Sequence, residues 1–275
     1  MNRVNILKIR LDAIEKKEYE KIFHDFSMSG THIICTPNPE IITRAQKDRE
    51  LFKILNHSSS LNITDGVGLI WAAKYLNTKP AFDKYISFFY FLAVWFLSII
   101  FMPVYTRIGN RPIKARVSGS DFIWDLSEYA SKNRLEIFFV GGEPTVAERC
   151  SLKLQTDLPD LRVVGVHSGS IKDTEEIVEA IKKSKADIVF VAYGAPKQEK
   201  WLAANLKHTG CRIGMGVGGS FDFVAGIKPR APVWLQKLGF EWLFRLIIEP
   251  RRIARQMAIP KFMFLILIEK LKGAK

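Results

Sequence analysis

"ADIVFVAYGAPKQEKWLAANL", Ala186 to Leu206, decides how this chain folds. An apolar run of strand length, "ADIVFVAYG", turns at glycine and proline into a helical pattern, "APKQEKWLAANL". The same unit recurs on both sides of it. Upstream, "THIICT" ends at "PNPE" and leads into a helix from about Glu40 to Leu55, and "SSLNIT" ends at "DGVG" and leads into "LIWAAKYL". "LEIFFV" passes through "GGEP" into a helix reaching Leu154, and "LRVVGVHSG" precedes "DTEEIVEAIKKS", where Asp173 and Glu176 are spaced like a capping box. "CRIGMGVGG" is the last strand. Strands alternating with helices predict an α/β fold with an open, mainly parallel sheet and helices on both faces.

Composition bounds the rest. The 275 residues, 48% apolar and 25% charged, suffice for a sizeable core and exclude a disordered chain. A net charge of +13 calls for a polyanionic partner: nucleic acid, a phosphorylated substrate or anionic lipid. The three cysteines, Cys35, Cys150 and Cys211, fit neither a disulfide framework nor a zinc pattern and suit a reducing compartment. The opening "MNRVNILKIRLDAIEKK" lacks the apolar core of a signal peptide.

The loops carry the chemistry. "TPNP", "DGVG", "VGGEP" and "YGAPKQE" each follow a predicted strand, so they gather on the carboxyl edge of the sheet, where open α/β proteins bind ligands. Several also open a helix, whose free N–H groups suit an anion. Asn38 is placed as an N-cap with Pro39 at the first helical position. Turn chemistry alone would also explain any one of these loops; four together favour a phosphorylated ligand. Asp65, between a strand end and a glycine, can take a proton from a hydroxyl at that edge, although an aspartate before glycine is also ordinary turn chemistry. "GMGVGG" spaces Gly214, Gly216 and Gly219 like a dinucleotide fingerprint, but it comes near the end of the sheet and is followed by glycine and proline rather than a full helix. A nicotinamide dehydrogenase is therefore disfavoured, and no cofactor is expected. No Asp-x-Asp pair follows a strand, so no metal site is expected either.

"YISFFYFLAVWFLSIIFMPVY", Tyr85 to Tyr105, is 21 residues without a charge, enough by length to span a bilayer. A single crossing would put Asp65 and Gln198 on opposite sides and divide one sheet, which lipid does not allow. Lys79 and Lys84 before the run, and Arg107, Arg111 and Lys114 after it, put both ends on the same, cytoplasmic side. The run reads as a re-entrant hairpin or in-plane anchor, bending near Ser98 or Pro103; a buried helical hairpin or a homo-oligomer contact is the alternative. From Gly226 to Lys275, 11 Lys/Arg stand against three Glu. Arg245, Arg252 and Arg255 fall on one face of any helix drawn through them, among Trp234, Trp242, Phe244 and Ile247. This basic amphipathic tail reads as a membrane-surface element rather than a nucleic-acid-binding one.

Taken together, "TPNPEIITRAQKD", "DGVGLIWAAKYL", "RVSGSDF", "FFVGGEP", "DIVFVAYGAPKQEKW", "GVGGSFDFVAGIKPRAPVW" and "GFEWLFRLIIEPRR" resemble, in order, the WecG/TagA/CpsF family of glycosyltransferases. The resemblance implies a Rossmann-like domain, residues 1–225, followed by a C-terminal appendage, 226–275; the segment at 79–114 departs from the family pattern, whose connection there is short, and reads as a membrane-associating insertion. It implies an inverting, metal-independent transfer from a UDP-sugar donor to a polyprenyl-diphosphate-linked acceptor at the cytoplasmic face of the membrane. N-acetylmannosamine is the donor sugar taken here, and a hexose or uronic acid the alternative. Asp65 is then the base. Arg245, Arg252 and Arg255 steady the departing diphosphate. Thr36, Asn38, Arg116, Gly141, Gly142, Gln198, Gly218 and Asp222 line the substrate pocket. A lipid- or phosphate-binding protein without catalysis is the competing class, against which the presence of Asp65, Thr36, Gln198 and the three arginines argues.

Overall fold

A computed structural model describes residues 2–79, 84–114 and 117–273. The chain opens with an antiparallel hairpin of β1 (Asn2–Ile6) and β2 (Ile9–Ala13). There follow α1 (Tyr19–Met28), β3 (His32–Cys35), α2 (Pro39–Ala45), α3 (Arg49–Lys53), β4 (Leu61–Asn62) and α4 (Val67–Leu76). The apolar run forms α5 (Lys84–Ile100) and α6 (Met102–Tyr105). The second half contains α7 (Gly119–Asn133), β5 (Glu136–Gly141), α8 (Val146–Asp157), β6 (Arg162–His167), α9 (Thr174–Ser184), β7 (Ile188–Ala192), α10 (Lys197–Thr209) and β8 (Ile213–Gly216). Short helices α11 (Ser220–Val224), α12 (Val233–Leu238), α13 (Glu241–Ile248) and α14 (Ile253–Gln256) precede the long α15 (Ala258–Gly273).

The six expected strands form one parallel sheet in the order β4-β3-β8-β7-β5-β6. Both faces are covered, which explains why its strands read as unbroken apolar runs. Along β7, Val189 and Val191 join one buried cluster while Ile188 and Phe190 join the other. That is the two-residue alternation of a strand sunk between two helical layers.

Local differences from the sequence reading have physical causes. The β1–β2 hairpin is unannounced because its turn residues, Leu7 and Lys8, adopt φ of 50° and 62° without the usual Asn-Gly signature. The helix expected from Glu40 to Leu55 breaks after Ala45 and restarts where the Asp48 side chain accepts from Leu51 N at 3.0 Å. The expected pairing of Asp173 with Glu176 is shifted one turn upstream: Ser170 and Asp173 form the box, with Ser170 N donating to Asp173 Oδ2 at 3.0 Å.

The apolar run does not fold as two comparable arms. Helix α5 continues through Ser98, whose hydroxyl accepts from Trp71 Nε1 at 2.8 Å, and the break comes at Phe101. Ser87, Phe91 and Ser98 face inward, with Trp95 Nε1 donating to Met263 O at 2.9 Å, while Tyr85, Phe88, Phe89, Leu92 and Phe96 stay exposed. No helix among the described residues is long and apolar enough to cross a membrane.

The C-terminal segment is not one continuous helix. Pro250 separates α13 from α14, so no single helix runs through Arg245, Arg252 and Arg255. Helix α15 sits in the core: Phe262, Ile266 and Leu267 are buried. Glu269 Oε2 accepts from Leu7 N at 3.0 Å, and Lys270 Nζ donates to Leu76 O at 2.8 Å.

Candidate active site

The carboxyl edge of the sheet opens into a polar cleft of about 940 Å³. Ten of the twelve expected site residues line it: Thr36, Asn38, Asp65, Gly142, Gln198, Gly218, Asp222, Arg245, Arg252 and Arg255. Arg116 lies outside the described residues. Gly141 is not on the cleft wall; it ends β5 in the interior, where an added Cβ would meet the Tyr193 ring at 3.0 Å. Its role is to let that ring close over the strand.

Asp65 is held by backbone. Its N–H donates to Pro37 O at 2.9 Å, and it bridges to Val117 in parallel fashion, extending β4 toward the edge. Gly66 follows with φ 97°, a conformation that a side chain resists, and α4 starts at the next residue. The carboxylate thus stands at a sharp strand-to-helix turn, half-buried. The expected cap at Asn38 is present: Oδ1 accepts from Ile41 N at 2.9 Å, with Pro39 in the first turn. Thr36 is buried and reaches Gly216 O at 3.4 Å, tying β3 to β8 across the cleft floor.

Gln198 is a brace as much as a wall. Its Oε1 accepts from Gly218 N at 2.9 Å, and its Nε2 donates to Glu199 Oε1 at 3.0 Å. Both ends of the amide are engaged within the protein. Glu199 is fully buried, and burial pushes its carboxyl well above the usual range, with Gln198 and Arg44 only partly offsetting this.

The arginines come from the other side of the cleft. Arg245 Nη2 donates to Glu241 Oε1 at 2.6 Å, and its guanidinium lies 4.4 Å from the Phe223 ring centre. Arg252 Nη1 donates to Glu249 Oε2 at 3.0 Å. Lys228 links this side to the core, donating to Asp222 Oδ2 at 3.0 Å and lying 2.8 Å from Glu249 Oε1. Burial pushes the Glu249 carboxyl up, but Lys228 and Arg252 outweigh it and leave it below its ordinary value. The Nε groups of Arg245 and Arg252 are buried without a hydrogen-bond partner among the described residues.

A second, apolar cavity of about 260 Å³ meets the first at Asp65, Asn38 and the same three arginines. Among the described residues no group of three or more His, Cys, Asp or Glu is placed to hold a metal ion.

The profile of the glycosyl transferase WecG/TagA/CpsF family matches residues 4–90 and 100–275. The chain belongs to this family. It is a glycosyltransferase, and it is similar to curated enzymes along its length. One from Bacillus subtilis (strain 168) is 30% identical over 239 residues, which is 86% of this chain and 80% of that protein. One from Staphylococcus aureus (strain NCTC 8325) is 28% identical, covering 99% of this chain and 95% of its own. Both are named N-acetylglucosaminyldiphosphoundecaprenol N-acetyl-beta-D-mannosaminyltransferase. The two matched stretches leave residues 91–99, within the apolar run, between them.

Sequence reasoning missed the partners of the arginines. Lys228, Glu241 and Glu249 enter the sequence reading only as charges counted between Gly226 and Lys275, and Phe223 is not singled out. The Arg245–Glu241 spacing of four within a helix was the available signal. No spacing rule brings Lys228 to Glu249.

Proposed function

We propose that this transferase moves N-acetylmannosamine from UDP-N-acetylmannosamine to the N-acetylglucosamine of a polyprenyl-diphosphate-linked acceptor, with inversion, in the synthesis of a bacterial cell-surface polymer. The names of the relatives supply the sugar and the acceptor class. The observation that carries the reading is that the Asp65 carboxylate and the guanidinium groups of Arg245, Arg252 and Arg255 line one cleft. Asp65 removes the proton from the acceptor hydroxyl as its oxygen attacks the anomeric carbon. The bond from that carbon to the phosphate oxygen breaks on the opposite face, and UDP leaves with the electron pair. Arg245, Arg252 and Arg255 take up the charge that develops on the diphosphate. One carboxylate suffices, because direct displacement forms no covalent sugar intermediate.

The polyprenyl acceptor also gives the exposed α5–α6 face an occupant. Tyr85, Phe89, Phe96 and Phe101, 82%, 69%, 59% and 58% exposed, would rest at the cytoplasmic surface of the membrane, with Arg107 and Arg111 beside anionic headgroups.

The deciding experiment measures UDP release from UDP-N-acetylmannosamine with lipid-diphosphate-GlcNAc, with and without added divalent metal, in parent and Asp65→Asn enzymes. Acceptor-dependent release that collapses in the variant supports the reading. Full activity in the variant removes Asp65 as the base, and release only from a different UDP-sugar replaces the donor.

A further inference from the structure

The apolar cavity has no task in sugar transfer itself, yet it opens on the same carboxylate and arginines as the polar cleft. Its walls come from three parts of the chain: Ile99 and Met102 at the α5–α6 junction, Leu238 and Trp242 from α12 and α13, and Ile259 and Met263 from α15. No sheet loop other than those carrying Asn38 and Asp65 contributes to it. The two cavities therefore divide the site by chemistry. The polar one is lined by the strand-end loops and the apolar one by the helices that lie beside the exposed α5 face.

We propose that the apolar cavity holds the diphosphate-proximal isoprenyl units of the acceptor. The acceptor's sugar then reaches Asp65 and its diphosphate the arginines at the cavity mouth, while the UDP-sugar enters from the polar cleft. Two observations select a prenyl chain over another apolar occupant. The mouth carries Arg245, Arg252 and Arg255, matching a group that is anionic at one end and apolar directly behind it. The cavity also continues outward: Ile100 lines it and is itself 53% exposed, next to Phe101 and Val104 on the outer α5–α6 surface. At about 260 Å³ it is smaller than pockets that enclose whole drug-sized ligands. A long polyprenyl tail must leave it after its first units and run along that outer face toward lipid. The helix pair thus serves as both the wall of the first-isoprenyl subsite and the route by which the tail reaches it.

This inference rests on the acceptor class assigned above, so its test reads binding apart from transfer. A photoreactive geranyl-diphosphate-GlcNAc is irradiated with the intact enzyme without donor, and the labelled peptides are mapped. Label on α6, α12 or α15 that unlabelled geranyl-diphosphate-GlcNAc displaces is the expected result. Label confined to the outer side of α5, or label that methyl-diphosphate-GlcNAc displaces as well as geranyl does, overturns it.

The kinetic counterpart compares acceptors bearing methyl, geranyl and longer prenyl groups. KM is expected to fall from methyl to geranyl and to change little beyond. Ile259→Asp should raise KM for the geranyl acceptor roughly tenfold or more, with a smaller change in kcat. UDP affinity serves as the check that this variant is folded, and exposed Leu152→Asp on α8 is the control that leaves KM unmoved. A KM independent of prenyl length sinks the proposal. Specific prenyl labelling without transfer from UDP-N-acetylmannosamine would leave the subsite standing and fault the donor assignment alone.

Discussion

The two walls of the cleft are built in opposite ways. Asp65, Thr36 and Asn38 sit on loops whose backbone is fixed by the sheet: a strand bridge, a helix cap and a glycine turn. Arg245 and Arg252 are paired locally with Glu241 and Glu249, Lys228 ties Glu249 to Asp222, and Arg255 is exposed just beyond. Backbone hydrogen bonds inside a sheet are cooperative and dry, whereas half-exposed ion pairs are worth little each and yield to salt. On the proposed mechanism, the wall that holds the base is rigid and the wall that meets the diphosphates is held loosely.

That contrast predicts where activity is lost first. Asp65→Asn removes the proposed proton acceptor while keeping the turn, and kcat should drop by roughly 10²–10⁴ with stability nearly unchanged, read by steady-state kinetics beside a thermal melt. An equal loss of stability would mean that the carboxylate, rather than the backbone, holds the turn. Arg252→Ala should cost on the order of 10² in kcat, and a rise in KM without a fall in kcat would place this arginine on ground-state binding instead.

Helices α5 and α15 sharpen the same comparison in the scaffold. Phe262→Ala on α15 empties a site that is 1% exposed and should cost about 3–5 kcal/mol in denaturant unfolding. Phe96→Ser on the outer side of α5 should change stability by less than about 0.5 kcal/mol while weakening co-sedimentation with anionic vesicles. Equal stability losses at the two positions would show that the α5 face is covered in solution.

The six-stranded sheet and its ligand edge were legible because apolar runs and turn residues are local signals. So was the cap at Asn38, whose hydrogen bond spans three residues. What the sequence hid was long-range. Nothing in "IPKFMFLILIEKLKGAK" distinguishes a helix resting on lipid from one packed on α2, α4 and α5, since both need an apolar face flanked by lysines. The uncharged run from Tyr85 was similarly ambiguous: one face is apolar because it packs on Trp71 and Met263, the other for reasons the interior does not supply. Gly141 reads as a ligand-facing glycine because the loop around it does, and only the position of Tyr193 shows otherwise.

Glu199, beside Gln198 in α10, is a buried acid behind the cleft, and Glu199→Gln tests how the scaffold tolerates it. Glu199 Oε2 has no partner among the described residues, and Arg44 is the basic group that favours its ionised form. Its carboxyl is held above the ordinary value of 4.5 mainly by burial. The folded state therefore keeps the proton longer than the unfolded chain does. The stability that goes with it is complete below pH 4.5 and is lost as pH climbs toward the raised value. Glutamine preserves the acceptor for Gln198 Nε2 and cannot ionise. The variant should match the parent at low pH and melt progressively above it as pH rises, with turnover changed by less than about twofold. A parallel pair of melting curves across the pH range would instead mean that Glu199 is ionised in the fold, and that Arg44 rather than burial governs it.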